Sequence, residues 1–214
     1  MDRAEIKKAV EEVLSKIKKR KFIQSVDLAI NLKLEPKEQP KIDEIIQLPK
    51  DKGKPSKIGA FVSAELKEQA SKLCDNVVLE DEFDKWKAPR DIKKLLRRYD
   101  FFIAQATIMP QVAQVFGKYL GPLGKMPNPK AGQIVPPKAN IEPLIKKLKN
   151  SVKLTLKKSP VLHCSVGTEK MSSEDITNNI TALLESLKPK LPRGEYSISS
   201  IFIKTTMGPG VKVQ

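Results

Sequence analysis

Residues Ser197–Lys204, with the sequence SISSIFIK, alternate between apolar and polar side chains, and the turn TTMGPG (Thr205–Gly210) follows directly. One face of this segment carries isoleucine, while the other carries Ser200, Phe202 and Lys204. The pattern predicts a half-buried strand that ends in a turn with two glycines. Because glycine adds no side chain, the backbone N–H groups of such a turn can approach a phosphate or a ribose closely. A plain turn without a binding role is the alternative.

A second strand is predicted near the other end of the chain, and a cluster of basic residues directly precedes it. Lys16–Lys21 holds five basic residues in six positions, and an alternating run follows it. We predict an amphipathic helix from Arg3 to Lys18 and a strand from Phe22 to Leu34. The two faces of that strand are Phe22, Gln24, Val26, Leu28, Ile30, Leu32 and Leu34 on the buried side, and Ser25, Asp27 and Asn31 on the other.

The charge of the chain points to a polyanionic partner. Its 214 residues include 40 Lys and Arg against 25 Asp and Glu, a formal net charge of +15. Surfaces of thermophile proteins are also rich in lysine, but they carry nearly balancing glutamate, which this chain lacks. Between Lys118 and Lys158 there are ten lysines and one acid, Glu142. Nucleic acid is therefore the expected partner.

Few residues offer catalytic or metal chemistry. Cys74 and Cys164 belong to no C-x-x-C pair, so neither a zinc site nor a disulfide framework is predicted. The single histidine, His163, rules out a multi-histidine metal site. No apolar segment approaches the length of a signal region or a membrane span. We therefore expect a cytoplasmic protein without catalytic residues, metal ligands or a cofactor, and with no membrane partner.

The periodicity of the chain changes twice, which predicts an insertion. Residues 1–56 and 152–214 hold alternating segments that are typical of antiparallel strands, whereas residues 57–151 alternate continuous apolar runs with helices. Continuous apolar runs between helices are typical of a parallel sheet covered on both faces. The simplest architecture is a split outer domain with an α/β domain inserted into it. Within the insertion, Pro110 is expected to open a helix that Gly121 ends.

The inserted α/β domain makes an enzyme the alternative function. Its first strand runs into Val62-Ser63-Ala64-Glu65, which contains no G-x-G-x-x-G fingerprint. Met126 follows Gly124-Lys125 at the position where a P-loop needs Ser or Thr. The acidic segment Asp81–Asp84 is more typical of a solvated loop than of a cation site. The remaining enzyme hypothesis is a basic α/β enzyme that binds a phosphorylated substrate at the loop Gly121–Gly132.

That loop, with the sequence GPLGKMPNPKAG, also suggests contact with RNA. Its G-x-x-G followed by lysine is similar to the loop that clamps RNA in KH domains, although the flanking KH pattern is missing. Lys118, Lys125 and Lys130 would place positive charge along the loop. We predict that these three lysines contact phosphates as a secondary RNA site.

Three segments together resemble the ribosomal protein L-one family. They are the loop Gly121–Gly132, the ending TTMGP (Thr205–Pro209) and the pair Lys21-Phe22 at the start of a strand. The resemblance covers nearly the whole chain. It implies a split α+β domain that carries the main RNA site, and an inserted Rossmann-like three-layer α/β domain that makes further contacts.

The resemblance also implies a function. Members of this family are structural components of the large ribosomal subunit that bind the stalk region of the large ribosomal RNA. They assist the release of deacylated tRNA from the exit site and often repress translation of their own mRNA, at its leader or coding start. A cytoplasmic protein on the ribosome, monomeric when free, is expected. The chain starts close to its first helix and stops soon after the Met-Gly-Pro turn, as archaeal members do more than bacterial ones.

Carried over by motif, the main RNA site would consist of eight residues from two segments. They are Lys21, Phe22, Ser25 and Asp27 in the early strand, and Ser200, Thr206, Met207 and Gly208 in the last strand and its turn. Gly210 stands where many members carry Ser or Ala, which leaves the turn plausible.

Overall fold

The computed structural model describes residues 3–18, 20–33, 42–86, 88–137, 139–156 and 159–213. The first part of the chain forms α1 (Arg3–Ser15), β1 (Ser25–Leu32) and β2 (Ile42–Gln47). The middle forms β3 (Ile58–Val62), α2 (Lys67–Leu73), β4 (Asn76–Leu79), α3 (Pro89–Arg98), β5 (Phe101–Gln105), α4 (Met109–Leu123), β6 (Ile134–Val135) and α5 (Glu142–Lys149). The last part forms β7 (Ser151–Leu156), β8 (Val161–Thr168), α6 (Ser173–Leu187), β9 (Ile198–Thr205) and β10 (Gly210–Lys212).

The chain divides into two compact units. The split unit comprises Met1–Pro55 and Asn150–Gln214, and the inserted unit comprises Ser56–Lys149. The two ends of the insertion are adjacent, because the Ser56 N–H donates to the Lys149 carbonyl at 3.2 Å. Ser56 and Lys149, which are far apart in sequence, therefore hold the start and the end of the inserted unit together.

The split unit is built on a four-stranded antiparallel sheet with the order β10-β9-β1-β8. Side chains alternate along its central strands, so that Leu28 of β1 faces Ile203 of β9 and both are fully buried. Helices α1 and α6 cover this face with their apolar residues, and the short antiparallel pair β2–β7 adds to the same core. This arrangement confirms the predicted α+β class, because one face of the sheet is packed on helices and the other is not.

Helix α6 begins after Ser172, which caps its first turn. Ser172 accepts the N–H of Asp175 at 3.1 Å, and its hydroxyl donates to the Asp175 carboxylate at 2.8 Å. This reciprocal pair satisfies an N–H group that the first turn of a helix leaves without a partner. The cap fixes the start of the helix, so that its apolar face lies on the sheet. That face consists of Ile176, Ile180, Leu183, Leu184 and Leu187.

The inserted unit contains a parallel sheet with the order β4-β3-β5-β6. Every residue of β3 and β5 is buried, so both faces of the sheet are covered. On one face, Phe61 packs against Phe102 and Phe116 at ring-centroid distances of 5.4 and 5.0 Å. Helices α3 and α4 contribute to the same cluster, while α2 and α5 also contact β3. The predicted three-layer α/β class is confirmed.

The early elements are shorter than the sequence predicts. Helix α1 ends at Ser15 and not at Lys18, and β1 begins at Ser25 and not at Phe22. Phe22 lies in a bend and its side chain is 51% exposed, so it does not share the buried face of β1. Alternation in a sequence marks which residues can share a face, but pairing with a neighbouring strand decides where the strand starts. Lys19 and Leu34 lie outside the described residues.

The helix before the glycine-rich loop is longer than predicted. Helix α4 runs from Met109 to Leu123, and Gly121 lies inside its last turn. Gly124 ends the helix with a φ of 67°, and its N–H donates to the carbonyls of Leu120 and Gly121. Only glycine adopts this left-handed conformation at no steric cost, so the second glycine of G-x-x-G is the helix cap.

Candidate nucleic-acid interface

The turn after β9 is tied to the entrance of β1 by backbone hydrogen bonds. The Thr206 N–H donates to the Ser25 carbonyl at 3.1 Å. In return, the Ser25 N–H donates to the Thr206 hydroxyl at the same distance. These two residues are 181 positions apart in sequence, so the two predicted site segments meet through the sheet. The Thr206 side chain stays exposed to solvent while it holds this position.

The buried side chain of Gln24 holds the turn in place by hydrogen bonds. Its side chain is 1% exposed, its Oε1 accepts the Met207 N–H at 3.1 Å, and its Nε2 donates to the Lys18 carbonyl at 3.0 Å. Burying an amide is favourable only when its hydrogen bonds are made, and these two bonds satisfy both ends. Sequence analysis placed Gln24 only on the apolar face of a strand. The sequence did carry one sign of this role, because Gln24 is a single polar residue on an otherwise apolar face.

Gly208 completes the turn because no side chain fits there. Its N–H donates to the Thr205 carbonyl at 3.2 Å. A β-carbon at Gly208 would lie 2.2 Å from the hydroxyl of Thr205, which is itself buried. A larger residue would force Thr205 to move, so glycine keeps the turn in close contact with the strand.

An exposed apolar patch lies beside the bonded turn. Met207 is 59% exposed and Phe22 is 51% exposed, and Ile23 is exposed as well. Large hydrophobic side chains are seldom left exposed next to each other without a partner that covers them. We call the set Lys21, Phe22, Ser25, Thr206, Met207 and Gly208 the turn surface. It joins apolar side chains to backbone groups and to the exposed Lys21.

The other two predicted site residues lie on the open face of the sheet. Asp27 faces Lys204 across the β1–β9 pair, next to the turn surface. Ser200 lies at the far end of the same face, where its hydroxyl accepts the Asn31 side-chain amide at 2.9 Å. Ser200 and Thr206 are six positions apart along extended chain, which corresponds to about 20 Å. The structure therefore brings six of the eight predicted residues together, with Asp27 adjacent and Ser200 distant.

The prediction for Lys125 needs correction. Its ammonium group donates to the carbonyls of Leu96 and Tyr99 at 2.8 and 2.5 Å, so it does not extend into solvent. Leu96 belongs to the last turn of α3, where backbone carbonyls have no partner within the helix. A lysine there satisfies the carbonyls and interacts favourably with the helix dipole. Lys118 and Lys130 are exposed, as a phosphate contact requires.

The glycine-rich loop also lacks an open cradle of N–H groups. Asn128 accepts the Lys130 N–H through its side chain at 3.0 Å, and its own N–H donates to the buried Gln133 amide at 2.9 Å. The N–H groups of Ala131 and Gly132 donate to carbonyls of the same loop. A phosphate cradle needs several N–H groups that point outward. The loop Gly121–Gly132 uses them internally.

Two thiols and two carboxyl groups outside the turn surface have shifted pKa values. Burial raises the pKa of the Cys164 thiol to about 12 and that of the Cys74 thiol to about 11, so both stay protonated near neutral pH. Hydrogen bonds from Lys146 and Lys188 lower the pKa of Glu142 and Glu195. Among the described residues, no three His, Cys, Asp or Glu side chains are grouped to hold a metal ion. No helix of the described chain is long and apolar enough to cross a bilayer.

Comparison with known proteins identifies the family. Residues 14–209 match the Ribosomal protein L1p/L10e family. The protein named large ribosomal subunit protein uL1 of Pyrococcus abyssi is 43% identical over 219 residues, covering all of this chain and 97% of that protein. Proteins of the same name from Methanothermococcus thermolithotrophicus and Thermoplasma volcanium are 40% and 41% identical, again over all of this chain. The chain therefore belongs to the Ribosomal protein L1p/L10e family and is of the archaeal type.

Proposed function

We propose that this protein binds the stalk region of the large ribosomal RNA through the turn surface. On this proposal it also helps deacylated tRNA to leave the exit site and represses translation of its own mRNA. The observation that carries the proposal is that Met207, on a turn whose backbone is hydrogen-bonded to Ser25 and Gln24, is exposed, as is Phe22 just before β1. A surface that is both apolar and rigid is suited to one RNA shape.

The chemistry of the turn surface favours RNA backbone and ribose as ligands. The Thr206 hydroxyl and nearby carbonyls can bond the 2′-OH, which distinguishes RNA from DNA. Met207 and Phe22 can exclude water around those bonds, and each polar group that is buried without its partner then carries a large cost. Lysines on both units attract phosphate without regard to sequence. Specificity would then come from the turn surface and attraction from the charge.

Repression of the protein's own mRNA would follow from the same surface. A single turn surface can hold one RNA at a time, so an mRNA that presents the same shape competes with ribosomal RNA. Free protein in excess of ribosomal RNA would then occupy the mRNA. A role in the release of deacylated tRNA is supported by the resemblance to the family.

The enzyme alternative is set aside. The protein belongs to a family of ribosomal proteins and has a structural role, not a catalytic one. The loop Gly121–Gly132, which that alternative needed as a phosphate cradle, uses its N–H groups internally, and Lys125 caps α3.

Thr206→Val and Met207→Thr are expected to weaken binding to a stalk RNA fragment by tenfold or more. Loss of the hydroxyl leaves a partner unbonded in a contact from which water is excluded, at a cost of about 1–3 kcal/mol. Lys118→Ala removes one exposed charge among many, so a smaller loss is expected. The measurement is a binding titration at fixed salt for each variant, beside a thermal melt.

Thr206→Ser is the matched control, because it keeps the hydroxyl that bonds Ser25. It should bind RNA nearly as well as the native protein. If Lys118→Ala weakened binding more than Thr206→Val, the turn surface would not be the recognition centre.

Binding is also expected to weaken steeply as salt is raised. Each phosphate neutralised by a lysine or arginine releases a counterion, so the logarithm of the affinity falls linearly with the logarithm of salt. With a net charge of +15, several such contacts are available. A titration series at increasing potassium chloride measures the slope. An affinity that stayed constant from low to moderate salt would contradict the electrostatic part of the proposal.

A further inference from the structure

Helix α3 of the inserted unit carries a basic stripe that sequence analysis did not single out. Its members are Arg90, Lys93, Lys94, Arg97 and Arg98. Residues spaced by three and four positions share one face of a helix, so these five cations lie on one face of α3. All five are exposed, and none of them forms an ion pair within the part of the chain that the structure describes. Five like charges on one face favour a polyanion as partner.

A cavity of about 480 Å³ adjoins this stripe. Trp86, Leu95 and Tyr99 give it apolar and aromatic lining, and Lys94 and Arg98 of the stripe line it as well. Pockets for small organic ligands have volumes of roughly 300–1,000 Å³, so a nucleotide fits by size. An aromatic lining next to cations is the combination by which proteins hold unpaired bases and their phosphates.

The remaining lining residues are hydrogen-bonding groups that select among bases. Glu82, Asp91 and Asn76 line the cavity, and Glu82 also pairs with Lys85 at 3.5 Å. Carboxylates repel a phosphate but accept hydrogen bonds from the exocyclic amino group of a base. The base should therefore enter the cavity, while its phosphates stay on the stripe. Uracil has no amino group and offers these acceptors only its single ring N3–H, whereas the amino group of cytosine offers two N–H donors.

The cavity extends beyond the usual nucleotide site of α/β folds. Free nucleotides bind outside the carboxyl ends of parallel strands. The lining of this cavity includes Glu82 and Trp86, which follow β4, but also Asn76, which begins β4, and Tyr99, which precedes β5. The adjoining stripe continues along the exposed side of α3, so a ligand longer than one nucleotide can use both features.

We propose that the α3 stripe and this cavity bind an RNA segment with an unpaired nucleotide. The base, which carries an amino group, stacks in the cavity against Trp86, and the flanking phosphates lie along the stripe. This inference rests on the proposed RNA-binding function, to which it adds a second contact with its own base preference.

Trp86 provides a direct test, because it is the only tryptophan of the chain. The full-length protein is titrated with oligocytidylate and with oligouridylate of equal length, which carry the same charge but differ in the amino group. Trp86 fluorescence reports the cavity, and the anisotropy of labelled RNA reports binding anywhere on the protein. We expect oligocytidylate to quench the fluorescence and to bind several-fold more tightly than oligouridylate. Cytidine monophosphate should quench only at much higher concentration.

Three results would overturn the inference. Unchanged fluorescence with oligocytidylate, or equal quenching by both oligonucleotides, would contradict a cavity that holds an amino-bearing base. Quenching by cytidine monophosphate at the concentration that suffices for oligocytidylate would indicate a site for free nucleotides. In each case the anisotropy of a stalk RNA fragment shows whether the proposed function itself survives. If that fragment also fails to bind, the proposed function fails, whereas its binding confines the failure to this inference.

Variants of α3 give an independent measurement. Combining Lys94→Gln with Arg98→Gln should remove the quenching and lower the salt slope of oligocytidylate binding by about 1.4. The matched control combines Lys67→Gln with Lys72→Gln, which removes two exposed charges from α2 in the same unit. That control should keep the quenching. If the two double variants had equal effects, the α3 residues would act only as part of the general surface charge, and the assignment of the stripe as an RNA site would be overturned.

Discussion

Gln24→Met is expected to weaken binding to the stalk RNA fragment at least tenfold and to lower the free energy of unfolding by about 1–3 kcal/mol. Methionine has a similar length but cannot accept the Met207 N–H or donate to the Lys18 carbonyl. Both backbone groups would lose their buried partner, and the turn would lose the contact that orients Met207. The measurements are an RNA titration and a denaturant melt of the full-length protein.

Asn179→Leu is the matched control for Gln24→Met. Asn179 is also a fully buried amide of the split unit, and it donates to the Val166 carbonyl at 2.9 Å and accepts the Lys50 N–H at 3.0 Å. Its replacement removes the same number of hydrogen bonds, so a comparable loss of stability is expected, but it does not contact the turn. RNA affinity should therefore be unchanged. If both variants lost affinity equally, the loss would reflect stability alone and not the position of the turn.

Phe116→Ala is expected to destabilise the inserted unit by about 3–5 kcal/mol. Phe116 is fully buried and packs against Phe61 and Phe83 at ring-centroid distances of 5.0 and 5.4 Å. Trp86, whose ring centroid lies 6.5 Å from that of Phe116, reports unfolding of this unit by fluorescence. Affinity for the stalk RNA fragment should fall only a few-fold, because the turn surface belongs to the other unit.

The comparison variant for Phe116→Ala is Leu28→Ala, in the core of the split unit. It should cost about 2–5 kcal/mol and weaken RNA binding in step with the fraction of protein that unfolds. An RNA affinity that fell as far with Phe116→Ala as with Leu28→Ala would place the main RNA site in the inserted unit, against the proposal.

Alternation predicted the faces of β1 and β9 but not their ends. Which side chains share a face follows from the period of two along an extended chain, so Leu28 and Ile203 could be assigned to the core from the sequence. The start of β1 depends on where its partners provide hydrogen bonds. Ser25 is the first residue that both β8 and the turn after β9 can bond. Phe22 was therefore placed on the wrong face, although it was correctly singled out as a residue of interest.

For the lysines too, the sequence predicted a property that depends on composition but not the contacts made between distant residues. Counting charges predicted a basic protein, since net charge needs no structure. It could not show that the ammonium group of Lys125 is hydrogen-bonded within the protein, because the carbonyls that accept these bonds lie 26 and 29 residues earlier in the chain. Nor did counting charges reveal the basic face of α3, where the helical period brings together side chains three and four positions apart.

By itself the sequence determined the two fold classes, the basic character and, through its motifs, the family, and it predicted the insertion of one segment within another. These properties depend on periodicity, composition and local motif, which are present in the chain before it folds. Only the tertiary structure decided that Gln24 supports the turn, that Ser200 lies far from Thr206, and that Trp86 lines a cavity beside basic residues. Each of these depends on strand register or on packing between elements, and a one-residue change of register would move every side chain to the opposite face.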